Sequence, residues 1–231
     1  QMDASTFLSD AKEALARLGK IADATTTEVR QARKAWQDAE KAIKPTRVLC
    51  DILAAARIEG VKFPVLLTDW EDQKSQLLVS NEYAHAAAAL AGVFPVHFPI
   101  AFPEVFLAEN PGFNAVIGNP PWEKVHVEEH QFWARHFPGF QRSLTQRERE
   151  AKIVELRQTR NDLVESLQIE QDTSNKLRSA LSHGPFPGMG SGHPDLYKAF
   201  CWRFWDLTSK EGRIGVVLPR AVLVLKGSEE F

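Results

Sequence analysis

The chain has 231 residues, 44% hydrophobic and 25% charged, enough apolar mass for one or two real cores, so disorder is not the default reading. A formal net charge of −2 excludes a global positive field as the means of recruiting nucleic acid, although a local basic stripe would vanish in that sum. No apolar run approaches the roughly 18 residues of a membrane span and Gln1 to Leu18 lacks a signal-peptide layout, so a soluble protein with no membrane partner is expected.

In chain order, residues 1–92 read as a helical subdomain, because apolar positions recur at helical spacing. Phe7, Ala11, Ala14, Leu15 and Leu18 form one stripe, and Val29, Ala32, Trp36, Ala39 and Ile43 a second behind the cap candidates Thr25, Thr26 and Thr27. Pro45 is expected to separate this second helix from a third, Val48 to Ile58, which Gly60 ends. A fourth is expected from Asp69 through the alanine-rich stretch to Ala91, stopped at Gly92. Cys50 and Cys201 both lie in apolar helical patterns, where a thiol behaves as a small hydrophobe, and a reducing compartment fits them.

From Val93 the prolines 95, 99 and 103 predict extended backbone. A buried strand is predicted from Phe113 to Gly118, bounded by Asn110-Pro111-Gly112 and by Gly118-Asn119-Pro120-Pro121. Leu144 to Leu181 is again helical, with Ile153, Leu156, Leu163 and Leu167 on one stripe, an amphipathic arm or coiled-coil-like hairpin. Gly184 to Gly192 is a flexible loop, Pro194 and Asp195 open an aromatic helix from Leu196 to Leu207, Glu211-Gly212 stops it, and Arg213 to Pro219 reads as a second buried strand. Helix followed by strand predicts a parallel α/β sheet covered on both faces.

Asn119-Pro120-Pro121-Trp122 therefore stands at the carboxyl end of a strand, where open α/β sheets place their ligands. An exocyclic amine on adenine is a poor nucleophile, because its lone pair is delocalised into the ring. Acceptors that favour a more tetrahedral nitrogen would help it, and the Asn119 side-chain oxygen and the Pro120 carbonyl offer two. Proline fixes φ and so aims that carbonyl. Trp122 offers a flat face on which a flipped base can recover roughly 1–3 kcal/mol of stacking.

The segment Phe113-Asn114-Ala115-Val116-Ile117-Gly118-Asn119-Pro120-Pro121-Trp122 resembles the catalytic stretch of the N6-adenine DNA methyltransferases of type IIG restriction-modification and phage-defence systems. His97 to Phe106 is similar to the aromatic–proline lead-in of that family, and Asp195 to Phe200 with Gly212 to Pro219 to its next helix and strand. The resemblance implies a Rossmann-like methyltransferase sheet with large helical insertions, S-adenosylmethionine as methyl donor, DNA as partner, no metal, and a bacterial or archaeal cytoplasm. It implies that Asn119 and Pro120, with Pro121 beside them, bind the adenine amine, that Trp122 stacks on the base, and that Phe113 and Asn119 border the cofactor. Asn114 stands where the family has Asp. Nothing between Gln1 and Gly92 resembles the family's glycine-rich cofactor loop, so the cofactor site is expected to be incomplete in this chain. Gln1 before Met2 and the end at Phe231 read as cuts, and an internal fragment inactive on its own is expected.

Three other patterns carry weaker readings. His126-Val127-Glu128-Glu129-His130 fits a zinc-peptidase spacing, but no third ligand is evident and a solvated helix or loop is preferred. Arg135, Arg142, Arg147, Arg149, Lys152, Arg157 and Arg160, interleaved with Glu148, Glu150 and Glu155, read as a solvated face. Phosphate contact by Arg135 and Arg142 is the sharper alternative. The glycine loop lacks the Gly-Lys-Ser/Thr ending of a phosphate loop.

The expected organisation is a helical subdomain at 1–92, the catalytic strand and motif at 93–142, a helical insertion at 143–183, and a return to the methyltransferase core at 184–231. Two rivals stand beside DNA adenine methylation. One is methylation of a glutamine side-chain amide, which poses the same nitrogen problem. The other is a non-catalytic module in which the 144–181 arm mediates self-association.

Overall fold

The computed structural model describes residues 25–62, 70–140, 143–189 and 194–223. The first predicted stripe, Phe7 to Leu18, lies outside them. By internal contact the chain divides into two units, Gln1–Pro120 with Phe200–Leu218, and Pro121–Ala199 with Pro219–Phe231.

In the first unit, α1 runs Thr26–Glu59 without interruption. Thr25 caps it through a reciprocal box with Glu28, and Gly60, at φ 67°, closes it in the left-handed conformation. The expected break at Pro45 does not occur. A proline inside a helix removes one hydrogen bond and crowds the preceding turn, at about 3 kcal/mol. The buried stripe continues on both sides, through Ala39, Ile43, Val48, Leu49, Ile52 and Ala55. Each large aliphatic side chain there contributes roughly 1.5–3 kcal/mol by burial, so packing holds the helix together through the proline.

The helix expected from Asp69 to Ala91 is two helices rather than one, α2 (Trp70–Leu77) and the alanine-rich α3 (Asn81–Ala89). Ser80 divides them, because its hydroxyl accepts the Tyr83 N–H at 3.1 Å and so starts a new helix instead of continuing the old one. Leu77, Ala86 and Leu90 pack with Val48, Leu49, Ile52 and Ala55 of α1 as the core of this region.

The proline-rich lead-in also differs from expectation. It forms two single-turn helices, α4 (Phe98–Ala101) and α5 (Pro103–Phe106). Pro99 and Pro103 sit in their opening positions, where a missing N–H is no loss and a fixed φ suits the helix.

Strand β1 (Phe113–Gly118) forms as predicted and pairs in parallel with β2 (Thr208–Val216). Helix α9 (Leu196–Leu207) precedes β2 directly, so the helix stops before Glu211-Gly212. Thr208 hydroxyl donates to the Phe204 carbonyl at 2.6 Å, closing the last turn. Pairing runs Phe113 to Thr208 and then Ala115 to Arg213, so Ser209 to Gly212 bulge out opposite Asn114. Regular pairing continues to Gly118 and Val216. Among the described residues the protein is mainly helical with this one two-stranded parallel sheet. A sheet covered on both faces is not what these residues form: Asn114, Ala115 and Ile117 are exposed, Ile117 at 88%.

The second unit is helical. α6 (Glu129–His136), α7 (Gln146–Thr159) and α8 (Asn161–His183) bury Phe132, Trp133, Phe140, Leu156, Leu163 and Leu167 together. The predicted arm is thus two helices, broken at Arg160, with Thr145 and Glu148 boxing the start of α7. Its apolar stripe is consumed within the unit, since Ile153, Leu156, Leu163 and Leu167 all join that core.

Candidate functional site

The residues leading into the motif are held by an aromatic cluster. Phe113, the first residue of β1, meets the rings of Phe102 and Phe106 edge-on at 5.4 Å each, and that of Phe98 at 6.4 Å. Short helices started by proline present these rings at successive turns, which is how the lead-in sequence positions the strand. The Arg203 guanidinium lies 5.1 Å from the centre of Phe98. Burial pushes the Arg203 group below its ordinary range, against the opposing pull of Asp206.

Glycines make the strand pair possible. Gly112 sits at φ 114°, and a Cβ on it would lie 2.5 Å from the Ser209 nitrogen. A Cβ on Gly212 would meet the Phe113 carbonyl oxygen at 2.8 Å, and one on Gly118 would press on the Phe204 ring at 3.1 Å. Beyond β1 the Val217 N–H donates to the Gly118 carbonyl at 3.1 Å, which pins the last peptide before Asn119. Asn119 is exposed and Pro120 is buried. The half of the motif that supplies amine acceptors therefore leaves the carboxyl end of a parallel pair on a fixed backbone with its amide in reach of solvent.

Pro121 and Trp122 belong to the other unit, where both are exposed. Directly after them Lys124 bridges Asp195 in antiparallel fashion. The Leu196 N–H donates to the Glu123 carbonyl at 3.0 Å and the Val125 N–H to the Pro194 carbonyl at 3.1 Å. These bonds tie the residues following the motif to the residues that open α9. Sequence reasoning treated Asp195 as a helix start alone; a three-residue bridge is too short to leave an alternating pattern.

The remaining predicted site residues fall elsewhere. Arg135 donates to Glu170 at 2.6 Å and stacks over Phe132 at 5.3 Å. Arg142 lies outside the described residues. Three others of the basic run are paired, Lys152 with Glu155 at 2.6 Å, Arg160 with Asp162 at 2.7 Å, and Arg157 with both oxygens of Glu129 at 2.9 and 2.6 Å, whereas the Arg149 Nε is buried without a hydrogen-bond partner. The Arg160 hydrogen bonds hold the Asp162 carboxyl down at about 2. Glu129 is raised by burial but lowered more by hydrogen bonds from Arg157 and Trp133, and ends below the usual glutamate range.

In the zinc-like pentad, His130 pairs with Glu128 at 3.1 Å while Glu129 faces Arg157. Among the described residues no cluster of His, Cys, Asp or Glu is arranged to hold a metal, and no helix is long and apolar enough to cross a membrane. Cys50 and Cys201 are both free thiols. Burial, aided by Asp51 and opposed by Arg57, pushes Cys50 up to about 11, which removes it as a nucleophile at neutral pH.

No family model, no curated protein and no solved structure matches the chain.

Proposed function

We propose that this chain is part of a DNA adenine N6-methyltransferase and carries the groups that receive the target amine. The observation that bears the reading is the position of Asn119: exposed, one residue beyond the carboxyl end of β1 in a parallel pair, with the preceding carbonyl tied to Val217. The fuller Rossmann-like sheet belongs to the same proposal.

On this reading the Asn119 side-chain oxygen and the Pro120 carbonyl accept the two amine hydrogens and draw the nitrogen toward tetrahedral geometry. The buried Pro120 ring fixes the direction of its carbonyl. Trp122, 49% exposed, is available to stack on a base taken out of its duplex. S-adenosylmethionine would supply an already activated methyl group, so the protein's own task is alignment of nitrogen and methyl rather than covalent catalysis. Phe113 would shape the cofactor side from within its aromatic cluster.

The test is transfer of labelled methyl groups from S-adenosylmethionine to adenine in duplex DNA by the protein that carries this chain. Asn119→Ala is expected to lower the rate by roughly 10²–10³, the usual loss for one transition-state hydrogen-bonding partner, while DNA binding is retained. Near-normal methylation by that variant would overturn the assignment.

A further inference from the structure

A groove of about 550 Å³ lies in the first unit, on the side of α1 that faces the lead-in to β1, and the proposed methylation chemistry makes no use of it. Its size suits a nucleoside. Trp36, 53% exposed, forms one apolar wall, with Pro95, Ile100 and Pro103 completing the surface. An indole left half open to water on a helix otherwise buried at Ile43, Val48 and Leu49 is an available stacking platform.

The polar groups in the groove are selective in kind. Arg47 is held only loosely by Glu40, at 3.3 and 3.4 Å, so its guanidinium can exchange that contact for a better one. The His97 Nε2–H donates to the Asp51 carboxylate at 2.8 Å, a pair whose side chains are 15% and 23% exposed, and this tie fixes the floor. Glu104 adds an exposed carboxylate from α5. With Arg47 balanced by Glu40, the groove has no surplus positive charge for a phosphate, and the complementary ligand is a neutral planar ring. It must carry two acceptors that a guanidinium can take together and, elsewhere on its edge, N–H donors for a carboxylate. Guanine meets both demands, with O6 and N7 for Arg47 and N1–H and N2–H for Glu104. Adenine presents its amine where Arg47 needs an acceptor.

We propose that this groove binds a guanine base stacked on Trp36, from a free nucleoside or from an unpaired nucleic-acid strand. The test is calorimetric titration of the chain with guanosine, adenosine and a short single strand containing one guanine, for wild type and for Trp36→Ala, Arg47→Gln and Glu104→Gln. Circular dichroism establishes that each variant keeps its helices. Guanosine should saturate, with adenosine at least about tenfold weaker. Each substitution should weaken guanosine by roughly tenfold, stacking and paired hydrogen bonds being comparable contributions. Binding of the strand tighter than guanosine identifies the strand as the source, and equal affinity the nucleoside.

Equal affinity for adenosine, no saturation at millimolar guanosine, or variants that bind as wild type would overturn the proposal. So would guanosine binding that survives these three substitutions and is lost in Trp122→Ala, which would move the base to the methylation motif. The outcome is separate from that of the methyl-transfer assay, because no residue of the groove takes part in it.

Discussion

The strand pair and the helical arm use their apolar and charged residues in opposite ways. In α6, α7 and α8 the apolar stripe is spent inside the unit, with Trp133 fully buried, and the charges are spent on one another, as Arg157 on Glu129 and Arg135 on Glu170. At β1 the aliphatic Ile117 is 88% exposed and Asn119 stands in solvent, although the backbone beneath them is fixed by glycine contacts and by the Val217 bond. A surface that is rigid in backbone yet unsatisfied in side chain has the preorganisation a reacting site needs, whereas a self-satisfied helical core is a scaffold.

The largest effect should come from the scaffold. Trp133→Ala leaves a cavity among Phe132, Leu156 and Leu163 and should lower unfolding stability by about 4 kcal/mol, measured by urea denaturation, with faster hydrogen exchange in α6, α7 and α8. Next comes the strand pair. Gly112→Ala must force a Cβ against the Ser209 nitrogen at a positive φ, at about 3 kcal/mol, read as accelerated exchange of the β1 amides. If the alanine variant exchanged like wild type, the backbone rigidity ascribed to β1 would be wrong.

How much of this was legible in the sequence depends on whether the signal was local. Thr25 with Glu28, Gly60, and β1 between its glycine-bearing flanks could be read directly, because caps and turns are set by neighbours a few residues apart. The break at Ser80 was hidden because good helix formers lie on both sides of it, Glu71, Gln73, Lys74 and Leu77 before and the alanines of Asn81–Ala89 after. Pro45 misled in the other direction, since its local penalty was outweighed by a core to which α2 and α3 contribute from outside the window. Asn119 was placed correctly at a strand end by its motif, but the ties that hold the segment after Trp122, from Glu123 and Val125 to Pro194 and Leu196, come from seventy residues away and left no pattern. Pro45→Ala probes that balance. It should raise stability by about 1 kcal/mol, the regained helix hydrogen bond being partly offset by a freer unfolded chain. A loss of stability would mean that α1 is shaped around its proline.

The smallest effect tests whether the charges of the arm act as charges. Glu129 receives Arg157 through both oxygens and the Trp133 Nε1–H at 2.9 Å. Its carboxyl is raised by burial and lowered further by these partners, so the folded value lies below the ordinary 4.5. A depressed carboxyl stabilises the fold above the unfolded value, and that contribution is lost as pH falls through the folded one. Glu129→Gln keeps an acceptor for Trp133 and removes the charge, so at pH 7 it should be less stable than wild type by under about 1 kcal/mol, the pair being partly exposed. Denaturation midpoints compared from pH 7 downward should converge as pH falls through the lowered folded value and the wild-type carboxylate is protonated. A gap that persists undiminished in acid would assign the role of Glu129 to shape and neutral hydrogen bonding, and the arm would then owe its order to the Trp133 core alone.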